Sequence, residues 1–222
     1  MKCTFGIMTT YDNIPQLEEV IASITSLNIP DVEIIVAGSY NNKEVPLLAK
    51  GVNGHQTILT HVLTDGWTPV KKNLVAKVAR HEILVLLHDY YLFDKGWYEK
   101  WLQFNEFGWA VASNPQYLMN GKRHFTDWTI WDHPTLPRYH SLPYDDWTQT
   151  QYQYVSGGYF LVKRDFLRQF PFNEEMQPGS AEDVEWSLRV RHRGRLMCNP
   201  LSVVRHNKSH RDNNKKGFPY EQ

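Results

Sequence analysis

The chain has 222 residues, of which 41% are apolar and 22% charged, so it can bury the core of one full domain. With only Cys3 and Cys198 as cysteines, a disulfide-stapled fold is excluded. The 24 Lys and Arg balance the 24 Asp and Glu, so no net positive field would attract a nucleic acid. No stretch approaches the about 20 apolar residues of a membrane span, and the N-terminus lacks a long apolar segment. We therefore expect a cytoplasmic protein, or a soluble domain of a longer one.

The N-terminal residues predict a strand, a helix and a second strand. The strands are expected at 4–8 and 33–37, where apolar residues dominate. Between them Asn13 can cap a helix and Pro15 suits its first turn, since apolar residues then recur at helical spacing. Such a unit builds a parallel sheet, and its ligands gather at the carboxyl ends of the strands.

The rest of the chain adds elements around one long irregular segment. Further strands are predicted at 56–63, 82–87, 109–113, 154–162, 196–198 and 202–205, and helices at 70–80, 97–104, 164–170 and 182–193. The unbroken apolar run at 82–87 is typical of a strand buried on both faces. Residues 116–153 show no periodicity and are rich in aromatic side chains, and loops of that length are usually functional.

Several residues stand where chemistry is expected. Asp89 follows the most apolar strand, where it either makes a turn or offers a carboxylate to a divalent cation. Gly157 and Gly158 interrupt a predicted strand, as either a bulge or a place where a ligand approaches closely. Glu182 and Asp183 open a helix, where they either complement its dipole or supply a general base.

The late part of the chain offers one more candidate. His206 ends an apolar strand and is a better candidate ligand than a pair with His210, because a helix is doubtful there.

These features follow one another in an order that resembles the family 2 GT-A glycosyltransferases. That family carries a DXD-type motif, a glycine loop, a Glu-Asp motif and a C-terminal His. The similarity extends from Thr4 to His206, and its most specific part is the Gly pair followed by residues 181–189. It implies an α/β GT-A fold, which is Rossmann-like and nucleotide-binding, with a mostly parallel central sheet flanked by helices.

The resemblance also implies how the chain is divided. Residues 1–206 would form a single domain, with a nucleotide-sugar-binding half at 1–115 and an acceptor-binding, catalytic half at 116–206. Residues 207–222 form a polar tail that we expect to be flexible.

The resemblance further implies roles for individual residues. Asp183, with Glu182 beside it, would deprotonate the acceptor hydroxyl, and the Tyr11 ring would stack on the donor's base. Lys71 or Lys72 would lie near the diphosphate. The remaining donor-binding residues would be Thr9, Asp12, His88, Asp89, Gly157 and Gly158. Asp89 would take the DXD role and His206 would close on a bound metal, Mn²⁺ or Mg²⁺, or on the diphosphate.

Two positions depart from the family pattern. The acidic pair that usually follows the second strand is replaced by Ala37 and Gly38, which leaves the identity of the base open. Tyr90 stands where a second acid of the DXD motif is usual, so a metal could be held weakly or not at all.

The resemblance implies an inverting glycosyltransferase that uses a nucleoside-diphosphate sugar, most readily a UDP-sugar, and a glycan or glycoconjugate acceptor. Sugar rings pack on aromatic side chains, so the long segment offers acceptor platforms, unless its rings only cover the sheet edge. The candidate platforms are Trp128, Trp131, Tyr144 and Trp147. A sugar nucleotidyltransferase would need a Gly- and Lys/Arg-rich first loop, which this chain lacks. A nucleotide-sugar or glycan-binding module without turnover remains the alternative.

Overall fold

A computed structural model of the chain describes residues 1–39, 56–104 and 107–207. Its strands are β1 (Cys3–Thr9), β2 (Asp31–Gly38), β3 (Gln56–Leu63), β4 (Ile83–His88), β5 (Tyr91–Phe93), β6 (Val111–Ser113), β7 (Gln116–Leu118), β8 (Thr129–Ile130), β9 (His140–Ser141), β10 (Gln153–Tyr154), β11 (Tyr159–Lys163), β12 (Leu196–Cys198) and β13 (Val204–His206). Its helices are α1 (Ile14–Thr25), α2 (Thr68–Val78), α3 (Trp97–Phe104), α4 (Arg164–Gln169) and α5 (Glu182–Val190).

A seven-stranded sheet in the order β12-β6-β11-β4-β1-β2-β3 forms the centre of the molecule. Only β11 runs antiparallel to its neighbours, so the sheet is mostly parallel, as the sequence predicts. The chain places β2 and β3 on one side of β1 and then β4 on the other, so the strand order reverses between β1 and β4. In open α/β sheets ligands bind in the crevice at such a reversal, outside the carboxyl ends of the strands.

Helices cover both faces of this sheet. One apolar core joins α1 and α3 to side chains such as Phe5 and Val85, and a second joins α2, α4 and α5 to side chains such as Leu84 and Leu86. Because β4 sends alternate side chains into two cores, its sequence reads as one continuous apolar run.

The start of α1 is as predicted. The Asn13 side chain accepts a hydrogen bond from the Gln16 N–H at 3.2 Å, and Pro15 lies in the first turn. The end of α5 differs, since the helix stops at Val190 and residues up to 193 form a turn.

The predicted strand at 154–162 is two strands in different sheets. Tyr154 belongs to β10, in a small sheet of order β10-β8-β9, whereas Tyr159 begins β11 in the main sheet. The chain turns between them at the Gly pair, so one apolar run serves two elements.

The segment 116–153 is less irregular than predicted. It contains β7, β8, β9 and a 3-10 turn at Thr150–Tyr152. Strands of two or three residues are too short to show periodicity, and β7 is held mainly by pairing with β13, which lies far along the chain.

The described part of the chain has no helix that is long and apolar enough to cross a membrane. The predicted tail lies outside the described residues, except for Asn207.

Candidate active site

Thr9, Asp89 and Lys71 meet where the strand order reverses. The Thr9 hydroxyl donates to the Asp89 Oδ2 at 2.5 Å, which joins the carboxyl ends of β1 and β4. From α2, the Lys71 ammonium donates to the Thr9 carbonyl at 2.6 Å and to the Ser39 hydroxyl at 2.7 Å. Burial lowers the pKa of Lys71, and the charges of Asp89 and Asp12 oppose this. Of these groups, the Lys71 ammonium is the one whose charge favours a ligand that carries phosphate.

Tyr11 is placed differently from the base-stacking role implied above. It has φ 58°, and its ring lies so close to Gly38 that a Cβ at Gly38 would fall inside it. Its hydroxyl lies 3.1 Å from the His61 Nδ1, and burial raises its pKa to about 12. With 5% of the residue exposed, the ring has no open face for a base in this structure. Neighbouring Asp12 is exposed and accepts from the Thr10 hydroxyl at 2.6 Å.

His88, Tyr90 and His206 form an aromatic group beside Asp89. The Tyr90 hydroxyl lies 2.9 Å from the His88 Nδ1, and the Tyr90 and His206 rings are centred 4.7 Å apart. His206 is brought here because β13 pairs with β5, and its ring also stacks on that of His124 at 4.6 Å. Tyr90 thus packs between two imidazoles.

The described residues do not by themselves form a complete metal site. Within residues 1–39, 56–104 and 107–207, no group of three or more His, Cys, Asp and Glu side chains could hold a metal ion. Asp89 and His206 would therefore need further ligands, such as the phosphate oxygens of a bound donor, to hold a cation.

Asp183 is fixed at the Gly pair. Its Oδ2 accepts from the Gly157 N–H at 2.7 Å, and its Oδ1 accepts from the Val184 N–H at 2.9 Å. A Cβ at Gly157 would lie 2.9 Å from the Asp183 Cβ, tighter than such atoms pack, so glycine lets the carboxylate approach this backbone.

The environment of Asp183 raises its pKa. Burial is the largest cause and the charge of Glu182 adds to it, whereas Lys72 and the two N–H groups oppose it. A carboxylate whose pKa lies closer to neutrality is a stronger general base than an ordinary aspartate.

The Gly pair also links Asp183 to the residues around Asp89. The Gly158 carbonyl accepts from the His88 N–H at 2.9 Å, next to Asp89. A Cβ at Gly158 would lie 2.9 Å from the Tyr91 hydroxyl, so this glycine admits an aromatic ring. The sequence predicts a close approach to this Gly pair. In this structure the side chains of Asp183 and Tyr91 make that approach.

Of the two lysines that the resemblance offered for the diphosphate, Lys72 is fully buried. Its side chain has no exposed area, and its ammonium pairs with the Glu182 Oε1 at 3.3 Å. In this structure Lys72 is a buried partner of the Glu182-Asp183 pair, and Lys71 is the lysine at the strand edge.

The four candidate acceptor residues have different environments. Trp128 is buried in the second apolar core, and its indole N–H donates to the Asp146 carbonyl at 3.0 Å, so little of its ring is open to a sugar. The rings of Trp147 and Phe104 are centred 6.4 Å apart, and Trp147 packs against both apolar cores. Trp131 and Tyr144 are half-buried and remain candidates.

Asp127 is a buried residue that the sequence does not single out. Its Oδ2 accepts from the Tyr144 hydroxyl at 2.6 Å and from the Gln116 N–H at 3.1 Å, and lies 3.4 Å from the Arg123 Nε. Burial raises its pKa to about 6. Asp127 therefore fixes the segment that carries the candidate acceptor residues, although nothing in a non-periodic stretch indicated that it is buried.

Solved structures of other proteins resemble this chain. A crystal structure of GalNAc-T7 with UDP, GalNAc and Mn²⁺ matches 93% of the chain with a TM-score of 0.68 and 16% identity. Staphylococcus aureus TarS 1–349 matches 93% with a TM-score of 0.61 and 15% identity, and its complex with UDP-GlcNAc matches 98% with 0.62 and 14%. No family model and no curated protein matches the chain.

These likenesses show the fold. The chain has the GT-A fold, as the resemblance implied. It spans 60% of the TarS 1–349 chain and 43% of the GalNAc-T7 chain.

Proposed function

We propose that this GT-A-fold chain is a glycosyltransferase. It moves a sugar from a nucleoside-diphosphate sugar, a UDP-sugar, to a hydroxyl of a glycan, polysaccharide or glycoconjugate, with inversion at the anomeric carbon. The observation that carries the proposal is the Asp183 carboxylate, fixed by the Gly157 N–H beside the crevice where Thr9, Lys71 and Asp89 meet. The UDP and UDP-GlcNAc in the similar structures support the choice of donor.

In the proposed reaction Asp183 accepts the proton of the acceptor hydroxyl as its oxygen attacks the anomeric carbon. The bond between that carbon and the phosphate oxygen breaks, and its electron pair leaves with the nucleoside diphosphate. Attack from the face opposite the leaving group inverts the configuration. The Lys71 ammonium, at the carboxyl end of β1, opposes the negative charge that grows on the diphosphate.

A divalent cation, Mn²⁺ or Mg²⁺, belongs to the proposal because the similar GalNAc-T7 structure contains Mn²⁺. Asp89 and His206 would hold it together with phosphate oxygens, and it would supply further positive charge for the leaving diphosphate. Trp131 and Tyr144 are the residues that we propose contact the acceptor.

The first experiment measures binding and turnover in Asp183→Asn. Calorimetry with UDP-, GDP- and dTDP-sugars, each with and without Mn²⁺, identifies the donor and tests the cation. With that donor, we expect Asp183→Asn to lower kcat by about 10²- to 10⁴-fold while donor affinity stays within about twofold, because only proton transfer is lost.

The matched control is Asp165→Asn, since Asp165 is an exposed aspartate of α4. Full turnover in Asp183→Asn would show that Asp183 is not the base. If the wild-type chain binds the donor without turnover on any acceptor, the binding module is favoured. Tyr90, which stands in place of a second acid, is consistent with that alternative.

A further inference from the structure

Lys72 is fully buried, which is unusual for a lysine. Its side chain has no exposed area, and its ammonium lies 4.6 Å from the centre of the Phe172 ring and 5.6 Å from that of Phe160. Burial lowers its pKa, and the charges of Glu182 and Asp183 oppose this. Burying an ammonium costs free energy unless the charge is paired. The groups that pair with Lys72 therefore indicate its role.

Those partners are the two acids that open α5. The Glu182 Oε1 is 3.3 Å from the ammonium. The Asp183 Oδ2 and the Lys72 Nζ both lie within 3.1 Å of the point where a Cβ at Gly157 would stand, so they are no more than about 6 Å apart. Opposite charges at that separation in a buried site interact strongly.

Within the part of the chain that the structure describes, two other charged or titratable groups face Asp183. Glu182 precedes it on α5 and acts in the opposite direction to Lys72. Tyr154 of β10 is close enough for the charge of Asp183 to contribute to raising the pKa of its hydroxyl. Among these, Lys72 is the group that favours the ionised carboxylate.

We propose that Lys72 is a positioning residue, whose buried ammonium holds the start of α5 against the Gly157 turn and keeps Asp183 ionised for its task as a base. The link to catalysis rests on the proposed function. The link between Lys72 and Asp183 does not, and it is tested without substrate.

The test is a titration of ¹³C-labelled aspartate carboxyl groups by NMR, in which the Asp183 signal is identified by its loss in Asp183→Asn. Lys72→Met keeps an unbranched apolar side chain like the buried stem of lysine, and it removes the terminal ammonium with its charge. We expect it to raise the pKa of Asp183 by about one unit or more. Lys77→Met, at an exposed lysine of the same helix, is the matched control and leaves that pKa unchanged.

Glu182→Gln provides a second variant that retains Lys72. It is expected to lower the pKa of Asp183, and adding Lys72→Met in that background is expected to raise it again. Comparing Glu182→Gln with the double variant isolates the lysine charge from that of Glu182, and this comparison keeps the test decisive if Lys72→Met alone does not fold.

The proposal is overturned if the pKa of Asp183 stays the same in Lys72→Met, or if it stays the same when Lys72→Met is added to Glu182→Gln. Where Asp183→Asn abolishes turnover, the acid limb of the pH profile of kcat/KM should also move upward in Lys72→Met. If Asp183→Asn retains turnover while the pKa of Asp183 in the chain that keeps this residue depends on Lys72, the proposed function fails and the inference about Lys72 stands.

Discussion

Asp127 shows at the scale of one residue how burial and pairing compete. The residue has no exposed surface, so desolvation disfavours its ionised form, and the donors on Tyr144, Gln116 and Arg123 only partly offset this. Because its pKa is about 6 in the folded chain and about 3.9 in an unfolded one, the folded state binds more protons between those values. The stability that protonated Asp127 contributes is present below about pH 4 and is lost as the pH rises through about 6.

We therefore expect the free energy of unfolding of the wild type to fall relative to that of Asp127→Asn between pH 4 and pH 7, by about 3 kcal/mol. Urea unfolding at several pH values measures the difference. Asp132 gives the contrast, since Arg191 lowers its pKa and its contribution is lost only as the pH falls below about 4. If the free energies of unfolding of the wild type and of Asp127→Asn differ by the same amount across this pH range, the pKa of Asp127 is not raised.

At the scale of elements, Gly6 sets how closely α2 packs on the sheet. A Cβ at this position of β1 would lie 2.6 Å from the Val75 Cγ1 of α2 and 2.8 Å from the Leu86 Cδ2 of β4. Real atoms do not approach so closely in a packed core, so a side chain here must push the helix outward. Since α2 also carries Lys71 and Lys72, this close contact helps to set where both ammonium groups lie.

Gly6→Ala is expected to destabilise the fold by about 1–3 kcal/mol through overpacking. Val75→Ala removes the clashing methyl groups, so the double variant should lose less than the sum of the two single losses. Equilibrium unfolding of all four chains measures the coupling. Strict additivity would mean that the helix is not held against the strand at this point.

At the scale of the whole molecule, the two halves implied by the resemblance share one sheet. β4, from the first half, pairs with β11 of the second, and β6 lies between β11 and β12. The candidate site is shared in the same way, because Asp89 comes from the first half and Asp183 from the second.

A fragment of residues 1–115 therefore leaves β6 without either of its partners, and we expect it not to fold alone. The full chain is expected to unfold in one transition, with the same midpoint by circular dichroism and by tryptophan fluorescence. A fragment with dispersed amide NMR signals, or two separate midpoints, would show that the halves are independent units.

The sequence by itself determined the pattern of alternating elements, and through the order of Asp89, the Gly pair and Glu182-Asp183 it indicated the fold. The pattern of elements rests on local signals, since caps, apolar periods and glycines act over a few residues, whereas the order of the motifs indicated the fold through a family resemblance. Short strands such as β7 and β8 carried no such signal, because pairing with distant residues forms them.

Only the tertiary structure decided what neighbouring residues do. Lys71 and Lys72 are adjacent and both are buried, yet Lys71 bonds to the Thr9 carbonyl at the strand edge and Lys72 pairs with Glu182. Trp128 and Trp131 differ in burial, since the first is buried and the second half-buried. Burial and charge pairing depend on what packs against a side chain from far along the chain, and that is set by how the sheet and helices assemble.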